Sequence, residues 1–339
     1  MAEAILLRAG PGITVQDAGR TGYLAQGLSR GGAMDRLALH EGAALLQQDA
    51  GSAALEIAGS FLTLKVTAPT RIALTGAPMR ALCDGAALAW HASHALPAGA
   101  QLDLSRPAGG YSYLHFGGGL DLPLRLGARS AHLAAGLGQM LGAGTRLPLG
   151  PDPGKDTGLT LTPLARFDGG LLRIVATPQT RLFPQTLLAQ FLQRSFRKTA
   201  RANRMGQKLV SDGPGLTLEA GLHILSAPIV PGDIQITGDG APFVLLSECQ
   251  TTGGYPRIGT ILPCDLGRLV QAPPEAALHF AVVSLQEAVK IERAEAARRE
   301  TLGKSLRPLL RNPHDMSDLL TYQLISGVTC GDDLESGRP

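Results

Sequence analysis

Charge is scarce in this sequence: 17% of its 339 residues are Asp, Glu, Lys or Arg, against roughly 25% in an average soluble chain. The 31 basic and 28 acidic residues leave a formal net charge of +3. That balance lacks the dominant basic face a nucleic-acid binder needs. Aromatic residues are also few, at 4%. Four cysteines, Cys83, Cys249, Cys264 and Cys330, are scattered without a CxxC pair. Metal and redox spacings are therefore missing, and a chain this long argues against a disulfide framework. No apolar run approaches the length of a membrane span. The N-terminus carries an acid at Glu3 and too short an apolar stretch for a signal peptide. A soluble cytoplasmic protein is the expectation. There is also no GxxxxGK[ST] string, since Arg298 stands where Gly303-Lys304-Ser305 would need its upstream glycine. ATP binding through a phosphate loop is not expected.

What is abundant is punctuation. The 43 glycines and 23 prolines make up about a fifth of the chain, where average usage is roughly an eighth. Many short elements follow, which favours a β-rich architecture. Leu62, Leu64 and Val66 alternate with Thr63 and Lys65, the period of a half-buried strand. Similar runs at 71–75, 111–116, 171–176, 216–219, 243–246 and 277–284 predict further strands. Helices are predicted over 34–48 and 186–196, with a charged, solvent-exposed one over 286–304 and a short one over 316–324. Glycines and the Pro151-to-Gly154 cluster loosen the pattern between 120 and 163. We read residues 1–165 as an N-terminal β-barrel-like domain, 166–285 as a second β domain and 286–339 as a helical extension and tail.

Several motifs compete with plainer readings. Gly27-Leu-Ser29-Arg-Gly31 fits the GxSxG nucleophile pattern, but residues 21–26 make a poor core strand and chance matches are expected among so many glycines. Ser195 and Lys198 fit SxxK without the accompanying elements. His91 and His94 lack a third ligand nearby, so capping or solvated histidines are favoured over a metal site. Six cations between Arg194 and Lys208, with no acid, read either as a solvated helix end or as an anion cradle. Three strings then combine glycine with polar side chains: Thr14 to Tyr23 continuing to Gly31-Gly-Ala-Met-Asp35, Asn203-Arg-Met-Gly206, and Gln250-Thr-Thr-Gly-Gly-Tyr-Pro-Arg257. Either they are tight turns with incidental polar groups, or their amides and side chains orient a planar amide or carboxylate.

On these strings, with Leu74-Thr-Gly-Ala77, Gly117-Gly-Gly-Leu-Asp121, Gly127-Ala-Arg-Ser130 and Pro231-Gly-Asp-Ile-Gln235, the chain resembles the biotin-dependent carboxyltransferase family. That family includes the C subunit of 5-oxoprolinase and the allophanate-hydrolase-subunit-2-like part of urea carboxylase. The resemblance covers roughly residues 5 to 290. Glu248, Ala128 and Thr237 depart from the usual family residues.

The resemblance implies a mainly β fold of cyclophilin-like barrel units with few helices. It implies an amide-processing protein that works with the A and B subunits of 5-oxoprolinase, the B partner being kinase-inhibitor-like. Together they would open 5-oxoproline to glutamate while the partners handle ATP. Alternatives are a carboxyltransferase acting on urea or a similar amide, and a non-catalytic regulator of a kinase-inhibitor-like protein. Biotin would need a separate carrier, because no Ala-Met-Lys-Met string is present. By the same resemblance, Arg204 would take a substrate carboxylate or the transferring carboxyl group. Gln250, Thr251, Thr252 and Tyr255 would hold the amide edge, with the backbone amides of Gly253 and Gly254. Asp17, Arg20 and Asp35 would complete the site or form a salt-bridged turn. No metal and no covalently bound cofactor are expected.

Overall fold

The computed structural model describes residues 2–105, 109–217 and 224–310. The fold is mainly β. In the N-terminal half, Leu62, Leu64 and Val66 are fully buried while Lys65 is exposed, as a two-residue period demands. This strand lies between Glu3–Ala9 and Gln101–Ser105 in a six-stranded sheet. A second sheet of seven strands has Tyr111–Phe116 between Ala54–Ala58 and Thr70–Gly76. Leu6, Leu64 and Leu102 of the first sheet share one core with Ile13, Ile72 and Leu114 of the second. The strand Tyr111–Phe116 is buried on both faces. One face joins that core, and Tyr113 on the other packs with Ala38 and Leu39 of helix α1 (Arg36–Leu46).

The C-terminal half closes into a seven-stranded barrel: Gly170–Val175, Arg257–Ile261, Asp233–Ile236, Pro242–Leu245, Gly206–Ser211, Phe196–Asn203 and Leu278–Val282. Closure removes the exposed sheet edges. Helix α2 (Gln185–Gln193) packs against the barrel through Phe191, which stacks on Phe280 at 4.7 Å and meets Phe196 at 5.2 Å. Three of the few aromatic residues thus meet at one point of the barrel core. A short helix α3 (Leu266–Gln271) and the long α4 (Leu285–Glu300) follow. Beyond α4 the chain returns, and Arg307–Pro308 adds the last strand to the second N-terminal sheet.

Three expectations change. The N-terminal strands form two open sheets, and the closed barrel belongs to the C-terminal half. The helix expected to reach Phe196 stops at Gln193, because Arg194 adopts extended backbone and Phe196 opens a strand. The six cations from Arg194 to Lys208 consequently fall mostly on a β-hairpin and disperse. Arg197 pairs with Asp212 at 3.2 Å and Lys208 with Asp239 at 2.5 Å, while Lys198 donates to the Val270 carbonyl at 3.0 Å. No shared anion cradle forms there among the described residues. Leu216 is buried outside any strand. The rest of that expected strand from 218 onwards, and the helix expected over 316–324, lie outside the described residues.

Candidate functional site

Four of the sequence strings meet where the N-terminal sheets touch the barrel. The strand Ile13–Gln16 feeds a loop that folds back on itself: Ala33 donates its backbone N–H to the Asp17 carbonyl at 3.0 Å, and Arg20 donates to the Arg30 carbonyl at 2.9 Å. This approach requires glycine. Gly32 has φ +82, and a Cβ there would sit 2.7 Å from the Gly19 nitrogen. Gly31 in turn donates to the Ser247 carbonyl at 3.0 Å, tying the loop to the barrel.

Beneath the loop lies a buried ionic knot centred on Arg204. Its Nε and Nη1 contact the carboxylates of Glu248 and Glu56, and Nη2 donates to the Gly32 carbonyl at 2.6 Å. Glu56 also accepts from the Tyr113 hydroxyl at 2.7 Å and from the Met34 amide at 2.8 Å. Burial pushes the Glu56 carboxyl above its ordinary range despite Arg204. Burial alone would lower Arg204, but Glu56 and Glu248 outweigh it and hold the guanidinium above its ordinary value. The contact expected of Arg204, a bidentate one to a substrate carboxylate, would have to compete with these protein acceptors. All three of its nitrogens are engaged with protein acceptors, and these contacts join the two halves.

The other interior residues are similarly committed. Asp17 accepts from the amides of Gly19 at 2.9 Å and Arg129 at 2.6 Å. Arg20, 2% exposed, donates Nη2 to the Ser130 carbonyl at 2.6 Å. Asp35 caps α1, accepting from Ala38 at 3.4 Å, and its second oxygen takes Arg166 at 2.7 Å and Gln271 at 2.8 Å. Of the two expectations for Asp17, Arg20 and Asp35, their burial and these bonds favour the ordering of loops over direct substrate contact.

The string from Gln250 to Tyr255 behaves differently. It forms an exposed lip, with Thr252–Gly253 paired to Ala227–Pro228 and Tyr255 half exposed. Gln250, Thr252 and Gly254 are exposed, and Thr251 is half-buried. Among the described residues, no side-chain hydrogen bond occupies Gln250, Thr251, Thr252 or Tyr255. The structure thus separates the expected site into an interior knot and a solvent-facing lip.

Next to the knot is a cleft of about 370 Å³ that the sequence did not reveal. One wall is the loop Arg30–Leu37, another is Ser247 and Pro231 of the barrel, and a third is α4 through Glu292, Glu295 and Arg299. The expectation that α4 is simply solvated is corrected in part. Met34, Leu37 and Leu266 supply apolar surface, Arg30, Arg36, Arg166 and Arg299 positive charge, and Asp35, Glu292 and Glu295 negative charge. Burial, then Arg30 and Arg299, lower Arg36 to about 10. No described residue accepts a hydrogen bond from the Arg36 side chain. A half-buried guanidinium at the first turn of α1, with Arg30 and Arg299 beside it and Glu292 opposing them, favours an anion. The one signal available in the sequence was that Arg36 directly follows the Gly31-to-Asp35 string.

Ser29 of the GxSxG match is 2% exposed, and its Oγ lies 2.9 Å from His132 Nε2. His132 Nδ1 stands 3.9 Å from Glu248, beyond hydrogen-bonding distance. Burial lowers the imidazole below its ordinary range, only partly offset by Glu248. The segment 28–33 is irregular chain leading to α1, not a strand-to-helix elbow. Ser29 therefore lacks the exposure and backbone setting of the nucleophile motif. His94 holds the Ala89 carbonyl at 2.8 Å. Among the described residues no cluster of three or more His, Cys, Asp or Glu could hold a metal ion, and no helix is long and apolar enough to cross a membrane.

Residues 26–282 match the family model of the carboxyltransferase domain, subdomain A and B. The chain is 35% identical over 290 residues to the C subunit of 5-oxoprolinase from Escherichia coli, covering 84% of this chain and 93% of that one. It is 31% identical to the corresponding 5-oxoprolinase C subunit of Haemophilus influenzae, covering 83% and 91%. Among solved structures, TTHA0988 superposes with a TM-score of 0.75 at 28% identity, covering 83% of this chain and 56% of that one. The urea amidolyase of K. lactis shares the fold, with a TM-score of 0.79 at 23% identity, and this chain spans 21% of it. By the family match and these identities, the chain belongs to the carboxyltransferase-domain family that includes the 5-oxoprolinase C subunits.

Proposed function

We propose that this chain is the C subunit of an ATP-dependent 5-oxoprolinase, acting with its A and B subunits, of which B is kinase-inhibitor-like. The observation that carries this reading is the 35% identity to the E. coli protein over 93% of its length. Opening 5-oxoproline places water's oxygen on the ring carbonyl carbon, breaks the C–N bond and delivers a proton to the nitrogen. ATP hydrolysis on a partner drives it, in keeping with the lack of a phosphate loop here. The cleft suits such a ligand: a compact lactam ring against Met34, Leu37 and Leu266, with its carboxylate on Arg36. The polar lip from Gln250 to Tyr255 would face the substrate or one of the partners.

A second reading is favoured by the family model itself. Here the cleft would take a carboxyl group from carboxybiotin held on a separate carrier and pass it to urea or a similar amide. Cations and apolar walls in one cleft fit a carboxylated ring as well as a lactam, and biotin would supply the activated carboxyl group. In both readings this chain's own part is to bind and orient the substrate.

The test is reconstitution of the chain with its partners and measurement of ADP and glutamate. The complex is expected to hydrolyse ATP in a 5-oxoproline-dependent way, the chain alone to be inactive, and Arg36→Ala to raise KM about tenfold. A complex without 5-oxoproline-dependent ADP release would overturn the first reading. Carboxyl transfer that needs a biotinylated carrier would establish the second, and partner binding without turnover would leave a regulator.

A further inference from the structure

A second cavity, of about 360 Å³, shares no lining residue with the cleft. It lies against Val15, the segment 122–131 and the strand Arg146–Pro148. Three guanidiniums line it, those of Arg125, Arg129 and Arg146, and no described carboxylate does. Arg146 is paired from outside by Glu3. Arg129 is held from behind, its backbone N–H on Asp17 at 2.6 Å and its Nε on the Leu122 carbonyl at 2.8 Å. Its Nη atoms and the Arg125 side chain have no described acceptor.

Two further observations converge on the same place. Ser130 lines the cavity and is 2% exposed, yet its hydroxyl has no hydrogen-bond partner. Directly behind it, Arg20 holds the Ser130 carbonyl with Nη2, and its own Nη1 is likewise unpartnered. Such buried orphans are rare and costly in native proteins. The turn that presents Arg125 is also strained. Leu126 has φ 52, a left-handed backbone that is unfavourable for a branched side chain. With Gly127 at φ 80 it closes a two-residue turn between Arg125 and Ala128. The turn sets Arg125 on the same rim as Arg129 and Ser130.

We propose that this cavity is a binding site for a phosphate-class oxyanion. Two guanidiniums without a carboxylate partner, Arg125 and Arg129, a hydroxyl, and the Glu3-paired Arg146 beside them offer more donors than the two oxygens of a carboxylate use, and they suit a dianion with three or four acceptor oxygens. The phosphoryl group would sit between Arg125, Arg129 and Ser130. The remaining wall is mostly apolar, made by Val15, Leu122, Pro123, Leu141 and Leu147, with the polar Gln139 and Thr145 among them. The volume leaves room for an organic body beyond the phosphate, so a small organic phosphate is the preferred ligand and inorganic phosphate the alternative source of the same chemistry. The site stands whether or not the chain is part of a 5-oxoprolinase.

Calorimetric titration of the full chain with phenyl phosphate and with inorganic phosphate tests this. Phenyl phosphate is expected to bind about tenfold more tightly, with affinity falling as salt rises. Equal affinities would assign the site to inorganic phosphate. Arg125→Gln, at an exposed position, and Ser130→Ala should each weaken binding about five- to tenfold. Ser130→Ala should leave the melting temperature unchanged or raised, since the deleted hydroxyl has no partner to lose. The proposal is overturned if neither phosphate binds at about 10 mM, or if both variants keep the wild-type affinity.

Discussion

The interior knot around Arg204 and the exposed lip from Gln250 to Tyr255 come from equally distinctive sequence strings, only two residues apart at Glu248 and Gln250. They do opposite work. In the knot, charge is buried, saturated by protein partners and shared between the sheets and the barrel. In the lip, donors and acceptors face solvent and stay available. A polar, glycine-rich string therefore indicates that backbones approach closely. Whether it binds a ligand or binds the protein to itself depends on what the fold places opposite.

The sharpest way to break this comparison is Arg204→Ala. It would leave Glu56 and Glu248 buried without their cation, a loss of about 3–5 kcal/mol in a denaturant titration. A variant of wild-type stability whose only defect is a raised KM would return Arg204 to the role of substrate ligand. A smaller effect is expected from acid. Burial lowers His115 to about 3, so the stability it contributes is fully present above the unfolded value of about 6.5. That stability is lost as pH falls from about 6.5 towards 3, of order 2 kcal/mol by pH 5. The urea midpoint should drop over that range, and less steeply in His115→Gln. The smallest effect on stability should come from the lip. Thr252→Ala with Tyr255→Ala should move the midpoint by less than about 0.5 kcal/mol while cutting the activity of the reconstituted complex about tenfold. Loss of stability equal to that of the knot variants would erase the distinction.

The helix α1 shows where local reasoning reaches its limit. Its alanines and leucines made it legible, and Asp35 is a good N-cap. Helix propensity alone would favour Ala over Gly42 by about 1 kcal/mol. A Cβ at Gly42, however, would collide with the buried His115 ring, which is held by Thr75 at 2.8 Å. The strands at 62–66 and 111–116 were legible for the same local reason as the helix, since alternation and apolar content are written residue by residue. The cation run from Arg194 was misread because its strand pairing is set by barrel closure. The cleft was invisible because the segment from Arg30 to Arg36, Pro231 and Arg299 are far apart in the chain and share no period.

By itself, then, the sequence determined a weakly charged, glycine-punctuated β protein and, through its order of motifs, the family. Those properties rest on short-range periodicity and on strings that survive intact in one dimension. Only the tertiary structure decided which polar residues are partners and which are available. Burial and pairing are set by residues tens to hundreds of positions away, as Glu56, Arg204 and Glu248 are from one another. The glycine excess acquires its meaning there too: at Gly32 it lets two loops touch and locks the knot beneath the cleft.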